Sequence, residues 1–267
     1  MPEAEQIRDI ARRLDEAERN CTQIGQLSLA YPALEIADSY AIQAAWLAIK
    51  LDRGRSLKGH KIGLTSRAMQ QAVGIDQPDY GFLTDDMLLS DGAQIDTGRL
   101  IEPRIEAELA FVLRHDLSGP DCTLHDVLDA TSYVTPALEL LDARIQRLDA
   151  ATGRRRTVLD TIADNAANCA IITGGLSVRP LDIDLRRASA IVQRNGIVEE
   201  TGVAAGVLNH PANGIAWLAN RLHPWGVSLR AGQIILAGSF IRPIDARRGD
   251  TFTADYGPLG TVSCHFT

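Results

Sequence analysis

Several familiar catalytic and binding signatures are missing from this sequence. It contains no GxGxxG, no GxxxxGK[ST] loop, no HExxH and no GxSxG. Dinucleotide, nucleoside-triphosphate, zinc-protease and serine-hydrolase sites therefore have no local support. The cysteines are few and far apart, and none forms a CxxC pair: Cys21, Cys122, Cys169 and Cys264. We expect free thiols in a reducing compartment.

Long apolar runs and concentrated basic charge are also missing. No apolar run approaches the ~20 residues needed to span a membrane, and residues 1–6 lack the basic and apolar regions of a signal peptide. The formal net charge is −7, and basic clusters are short, as at 154–156 and 247–248. We therefore expect a cytoplasmic protein that binds neither membranes nor nucleic acid.

The remaining composition is that of a globular protein with a sizeable core. The chain has 267 residues, of which 45% are hydrophobic and 23% charged. Apolar stripes with helical spacing at 5–20 and 36–53 predict two helices, joined by an extended or turn connection at 27–32. We predict a helical N-terminal segment over residues 1–55, packed on a catalytic domain over 56–267.

The later part of the chain reads mainly as strands with a few helices. Strands are predicted at 100–113 and 133–141, and Asn195-Gly196 predicts a hairpin over 190–200. Residues 143–165 are polar and rich in arginine, which is typical of a mobile lid or of a loop over a site. The order of elements favours an α+β fold with a mixed or antiparallel sheet.

The stretch Arg104–Leu113 has an unusual alternating pattern. One parity is entirely apolar from Ile105 to Leu113, while Glu106 and Glu108 share the other parity with Ala110 and Val112. In a strand, side chains two apart point to the same face, about 6.5–7 Å from one another. Two like charges on an otherwise apolar strand repel each other unless a cation lies between them.

A third carboxylate, Glu139, lies within the apolar run 136–141. Three carboxylates without a matching histidine or cysteine cluster are typical of a site for a hard cation such as Mg²⁺ or Mn²⁺. The alternative interpretation is a solvated edge strand with outward-facing glutamates. The strand pattern alone leaves both interpretations open.

Two further residues are candidates for proton transfer. Lys61 lies in a glycine-flanked strand, and Asp79 follows Pro78 in a turn. A buried lysine or aspartate has an altered pKa and can act as an acid or a base. The alternatives are a solvent-facing lysine and an aspartate that only stabilises its turn.

Several motifs together resemble one enzyme family. They are Gly59–Ser66, Pro78–Gly81, Pro103–Phe111, Pro136–Leu140, Asp164–Asn168 and Gly202–Pro211. In this order, and over a match from about residue 10 to the C-terminus, the chain resembles the hydratase/decarboxylase family of the fumarylacetoacetate hydrolase superfamily. Members of this family act on 2-oxo acids in the meta-cleavage pathways of aromatic degradation.

The resemblance implies a fold, a metal and a set of site residues. The fold would be a mixed β-roll preceded by helices. Mg²⁺, for which Mn²⁺ can substitute, would be bound by Glu106, Glu108 and Glu139, and Lys61 and Asp79 would transfer protons. We also expect three residues to contact the substrate: Gly63, Leu64 and Ser239.

The implied activity is the addition of water to 2-oxo-hept-4-ene-1,7-dioate in homoprotocatechuate degradation. Two related activities remain alternatives, namely 2-oxopent-4-enoate hydration and 4-oxalocrotonate decarboxylation. A more distant alternative is a non-catalytic partner of a decarboxylase. The candidates for binding a distal carboxylate are Arg67, Arg104 and the arginines of 143–156. The resemblance also implies a symmetric homo-oligomer, with a decamer among the possibilities.

Overall fold

The computed structural model of the protein describes residues 2–73 and 75–267. Its α-helices are Ala4–Asn20 (α1), Leu27–Ala30 (α2), Ile36–Asp52 (α3), Arg67–Val73 (α4), Leu124–Ala130 (α5), Val158–Ala163 (α6) and Pro211–Leu222 (α7). Its strands are Leu57–Gly63 (β1), Asp79–Thr84 (β2), Leu88–Ser90 (β3), Ala93–Ile95 (β4), Arg104–Leu113 (β5), Thr131–Leu141 (β6), Asn168–Thr173 (β7), Ser189–Arg194 (β8), Ile197–Val203 (β9), Ile234–Leu236 (β10), Ile244–Asp245 (β11), Thr251–Asp255 (β12) and Thr261–Phe266 (β13).

The N-terminal helices pack on the body of the protein. Their apolar stripes form a cluster that includes Ile10 of α1 and Trp46 of α3, together with Phe82 of β2 and Ile145. Helix α3 begins after Glu35, whose backbone N–H donates to Asp38 at 2.9 Å. The division of the chain into units at residues 1–55 and 56–267 stays a prediction.

The larger sheet carries the candidate site. Its strand order is β2-β1-β10-β5-β6-β7-β3, and β11 pairs with the start of β5. Strands β5 and β6 form a long antiparallel pair at its centre, whereas β1 and β10 run parallel. The sheet is mixed, as the sequence predicts.

The two faces of β5 have different environments. Ile105, Leu109 and Phe111 pack toward the second sheet, in the same core as Phe252. On the opposite face, Ala110 lies in a smaller cluster with side chains from five strands: Leu83, Ala110, Ala137, Ile171 and Leu236. The larger sheet therefore curls into a roll, and the face that carries Glu106 and Glu108 is the inner one.

The second sheet covers the outside of this roll. Its strand order is β4-β13-β12-β8-β9, and α7 adds its apolar face to the shared core. The α+β fold with a mixed β-roll is thus confirmed. Within the described residues, no helix has both the length and the apolar character to cross a membrane.

Candidate active site

The three glutamates come together at the centre of the larger sheet. Register places Glu106 of β5 directly opposite Glu139 of β6, and Glu108 is the next residue on the same face of β5. One carboxylate oxygen from each lies within 4.8 Å of the others. Glu108 and Glu139 are buried and Glu106 is half-buried, so the solvated edge strand is not what the chain forms.

The hydrogen bonds of Glu108 and Glu139 each use only one of the two carboxylate oxygens. Glu108 Oε2 accepts from the Gly238 backbone N–H at 2.8 Å. Glu139 Oε1 accepts from Asn168 Nδ2 at 2.7 Å and lies 3.1 Å from Lys61 Nζ. Among the residues the structure describes, Glu108 Oε1 and Glu139 Oε2 are buried without any hydrogen-bond partner. Two unpartnered carboxylate oxygens beside a third carboxylate fit a hard divalent cation.

Electrostatics also favour a cation at this position. Burial, and next the charge of Glu139, raise the pKa of Glu106 to about 8. The same two causes raise the pKa of Glu108 well above its usual range. Without a cation, the closeness of these charges in a buried site favours the protonated forms of both carboxyl groups. A divalent cation would offset that repulsion.

Lys61 and Asp79 border the same cluster from β1 and β2. The Lys61 ammonium contacts Glu139 and donates to the Ala166 carbonyl at 3.2 Å. Both carboxylate oxygens of Asp79 are buried and lack hydrogen-bond partners within the described part of the chain. Gly63 pairs with Asp79, and a Cβ on Gly63 would lie 2.2 Å from Asp79 Oδ1 and 3.4 Å from Lys61 Nζ. The Asp79 carboxylate therefore packs directly against the backbone at Gly63, next to the Lys61 ammonium.

Both candidate proton-transfer groups have a raised pKa. Burial raises the pKa of Asp79, and the charge of Lys61 offsets part of that rise. Burial lowers the pKa of Lys61, but the surrounding carboxylates, Glu139 first, raise it by more, so that its net shift is upward. The raised pKa values favour the protonated forms of Lys61 and Asp79 next to the carboxylate cluster.

A strained segment between α6 and β7 supports this arrangement. Residues 165–167 all have positive φ angles, from 50° to 59°, although none is glycine. The Asn165 side chain exchanges two hydrogen bonds with the Phe82 backbone, at 2.7 and 3.1 Å. Arg144 and Asp164 form a buried ion pair of 2.6 Å that fixes the start of the segment. This segment supplies the Ala166 carbonyl and the Asn168 amide that contact Lys61 and Glu139.

The sequence singled out 164–168 as a family motif without a role for its asparagine side chains. The local signal was the small, amide-rich composition of the run, because asparagine tolerates positive φ better than most residues. Tyr256 was missed altogether. Its hydroxyl lies 2.6 Å from the Ala137 carbonyl and accepts from the Glu108 backbone N–H at 3.1 Å. It thereby links β5 to β6 beside the glutamates.

The three residues expected to contact substrate lie in different settings. Gly63 lies against the Asp79 carboxylate, near the Lys61 ammonium. Leu64 follows at the end of β1 with a positive φ of 54°, and its carbonyl accepts from Gln70 Nε2 at 2.8 Å. The Ser239 hydroxyl donates to backbone carbonyls of its own turn and of β5. Their substrate contacts stay predictions.

Known proteins with similar sequences and structures cover nearly the whole chain. It is 60% identical to the 2-oxo-hept-4-ene-1,7-dioate hydratase of Escherichia coli over 257 residues, which is 96% of each protein. The 4-oxalocrotonate decarboxylase of Pseudomonas putida G7, solved with magnesium and adipate, superposes with a TM-score of 0.95 at 36% identity, covering 100% of this chain and 99% of the other.

A more distant structure shares the fold alone. A putative fumarylacetoacetate hydrolase family protein from Yersinia pestis CO92 matches with a TM-score of 0.57 and 16% identity, over 79% of this chain and 93% of the other. A scan against protein-family models gives no match. The full-length similarity to both a hydratase and a decarboxylase is decisive, and the chain belongs to the hydratase/decarboxylase family of the fumarylacetoacetate hydrolase superfamily.

Proposed function

We propose that this protein is a Mg²⁺-dependent hydratase that converts 2-oxo-hept-4-ene-1,7-dioate into 4-hydroxy-2-oxoheptane-1,7-dioate. The observation that carries the proposal is the buried cluster of Glu106, Glu108 and Glu139 beside Lys61 and Asp79. The 60% identity to a hydratase that is named for this substrate supports the choice of substrate.

Glu106, Glu108 and Glu139 would hold the divalent cation. Bound there, a hard cation would accept the carboxylate and keto oxygens of a 2-oxo acid and stabilise the negative charge that develops on the keto oxygen. Gly238 and Asn168 already occupy one oxygen of Glu108 and one of Glu139. They would therefore orient the free oxygen of each carboxylate toward the cation.

Lys61 and Asp79 would transfer the protons of the reaction. Moving the double bond into conjugation requires that C3 lose a proton and C5 gain one. Addition of water then places hydroxide on C4 and a proton on C3, so that the atoms balance. The Lys61 ammonium and the Asp79 carboxyl lie on adjacent strands, and Lys61 contacts the glutamate cluster through Glu139. Both groups would therefore come within reach of a 2-oxo acid that is held by a cation at the glutamates.

Decarboxylation of 4-oxalocrotonate is the second candidate function. It is favoured by the TM-score of 0.95 with a decarboxylase that was solved with a dicarboxylate. It would use the same cation site, because loss of CO₂ also leaves negative charge on the keto oxygen. A non-catalytic partner would not need the carboxylates and the lysine, and this chain retains all of them.

An assay with three substrates distinguishes these functions. Purified protein with Mg²⁺ is offered the C7 dioate, 2-oxopent-4-enoate and 4-oxalocrotonate, while absorbance, product NMR and CO₂ release are followed together. We expect the C7 dioate to give the 4-hydroxy product without CO₂, and excess chelator to stop the reaction. Release of CO₂ that matches substrate loss would contradict the hydratase proposal. Full turnover in chelator by a Glu106/Glu108 double glutamine variant would contradict the metal site.

We also propose that the enzyme works as a cytoplasmic homo-oligomer in aromatic degradation. Exposed apolar side chains on the β8–β9 hairpin support an assembly contact, with Ile197 70% and Val198 54% exposed. Light scattering coupled to size-exclusion chromatography measures the mass directly. A monomer of 28.9 kDa at micromolar concentration would contradict the assembly.

A further inference from the structure

Three arginines gather at one end of the candidate active site. Arg104 is two residues before Glu106 on β5, so its side chain leaves the same inner face of the sheet. Arg147 and Arg156 belong to the loop that follows β6, and the Arg156 backbone N–H donates to the Arg147 carbonyl at 3.0 Å. Since β6 ends beside the start of β5, this loop and Arg104 lie at the same end of the sheet.

The charges of these arginines are only partly matched by carboxylates. Arg156 reaches Asp164 through one nitrogen at 3.3 Å, but Asp164 already forms its shorter ion pair with Arg144. The other guanidinium nitrogens of Arg156 make no hydrogen bond with residues 2–73 or 75–267. Arg156 therefore keeps donors for an additional anion, although its side chain is only 14% exposed.

Arg104 and Arg147 have carboxylate partners that solvent can reach. Arg104 pairs with Asp245 at 2.6 Å and Arg147 with Glu102 at 3.4 Å, and both carboxylates are more exposed than the arginines. Burial, and then the neighbouring charges of Arg104 and Arg156, lower the pKa of Arg147 to about 10. The three guanidinium groups are thus close enough to repel one another, which is an arrangement that an incoming anion would relieve.

The residue spacing along β5 is comparable with the length of a seven-carbon dioate. Six bonds of an extended carbon chain span about 7 Å, since three backbone bonds span ~3.3–3.6 Å. This is about the spacing of Glu106 and Arg104 along one face of β5. The positive charge of Arg156 also reaches the Asp79 carboxylate, whose pKa it lowers against the larger effect of burial. Arg104 thus shares a strand face with the glutamates, and the charge of Arg156 acts on Asp79.

We propose that Arg104 and Arg156 bind the distal carboxylate of a dicarboxylic 2-oxo acid and thereby select dioates over monoacids of this class. Arg147 supports them by adding positive charge. Of the remaining sequence candidates, Arg144 is held in its buried ion pair with Asp164. Arg67 is exposed on α4, and the arginines at 154 and 155 are exposed in the loop. This inference rests on the proposed function, because it assumes that the 2-oxo acid end of the substrate is bound at the glutamates.

Substrate pairs with and without the distal group test this assignment. The Arg104→Gln and Arg156→Gln variants are compared with wild type on the C7 dioate and on 2-oxopent-4-enoate, both with Mg²⁺. Arg230→Gln is the matched control, because Arg230 forms a similar ion pair of 2.7 Å with Asp116 beyond the opposite end of β5. Calorimetry with two saturated inhibitors, 2-oxoheptane-1,7-dioate and 2-oxopentanoate, adds a readout that needs no turnover.

We expect each cluster variant to lose about 10- to 100-fold in kcat/KM and in inhibitor affinity for the dioate, as is usual for one lost hydrogen bond between charged groups. The monoacid values should stay within about twofold, as should all values of the control. Equal losses on both substrates, or none on the dioate, would overturn the assignment. If wild-type protein hydrates neither substrate, the proposed function fails instead. Because Arg156 also contacts Asp164, Arg104→Gln keeps the test valid if Arg156→Gln does not fold.

Discussion

A single methyl group at Gly63 should separate proton transfer from metal binding. A Cβ at this position would lie 2.2 Å from Asp79 Oδ1, closer than non-bonded carbon and oxygen atoms approach. The Asp79 carboxylate would therefore have to move by about 1 Å, and a misplacement of this size can cost about 100-fold in rate. We expect Gly63→Ala to lower kcat for the C7 dioate about 100-fold, or about 2.7 kcal/mol.

Metal affinity should be unaffected by the same change, because the nearest atoms to the new Cβ belong to Asp79 and Lys61 and not to the three glutamates. Gly25→Ala is the control, since a Cβ there meets nothing within 4 Å. The assay combines steady-state kinetics, Mn²⁺ titration by calorimetry and urea unfolding. A folded Gly63→Ala variant with wild-type kcat would refute the placement of Asp79 in the reaction. A parallel loss of Mn²⁺ affinity would refute the claim that proton transfer at Asp79 is separate from metal binding.

Other variants test the remaining parts of the site. We expect Glu108→Gln to weaken Mn²⁺ binding at least tenfold in calorimetry, because it removes a charged ligand; unchanged affinity would contradict the metal role. Asn168→Ala should weaken Mn²⁺ binding by about 10-fold, because the hydrogen bond to Glu139 is lost. Wild-type Mn²⁺ affinity in this variant would contradict that role of Asn168. His60 tests pH dependence, since burial lowers its pKa from 6.5 to about 4. The unfolded chain then binds the proton more readily, so the free energy of unfolding should fall by about 3 kcal/mol between pH 6.5 and 4. Urea unfolding should show that His60→Gln lacks this fall in the free energy of unfolding. Identical pH profiles for the variant and wild type would contradict the prediction.

The sequence predicted the elements whose signals are local. The alternation at 104–113 gave β5 and the shared face of Glu106 and Glu108, since strand periodicity depends only on neighbouring residues. The helix at 36–53 was predicted within a residue of Ile36–Asp52. The hairpin around Asn195-Gly196 was also correct, and both residues have the positive φ angles that a type I′ turn requires.

Some local predictions were wrong because packing decided the outcome. The connection predicted as extended or turn at 27–32 contains the short helix Leu27–Ala30. This helix is held by Asp160, which accepts hydrogen bonds from the Ser28 backbone and hydroxyl. The strand predicted from residue 100 begins only at Arg104. The backbone N–H groups of residues 101 and 102 donate hydrogen bonds to the Asp142 carboxylate rather than to a strand. Residues 143–165 include the helix Val158–Ala163 and a buried start at 143–145 rather than a continuous loop.

The contacts that complete the site join residues far apart in the chain. Gly238 lies 130 positions from Glu108, and Tyr256 lies 148 positions from it. Which glycine or tyrosine reaches a given carboxylate depends on the strand order of the curled sheet. Periodicity and turn signals do not encode that order. The residue pattern singled out Glu106, Glu139 and Lys61 as candidates, the family resemblance assigned their roles, and the hydrogen bonds around them came from the structure.

The central claim is that the glutamate cluster binds a divalent cation that receives the 2-oxo acid. The most direct measurement is a crystal structure with Mn²⁺ and saturated 2-oxoheptane-1,7-dioate, in which anomalous scattering locates the metal. We expect one Mn²⁺ bound by Glu106, Glu108 and Glu139, with the carboxylate and keto oxygens of the inhibitor completing its coordination. Mn²⁺ at another position, or an inhibitor bound without contact to the metal, would contradict this account.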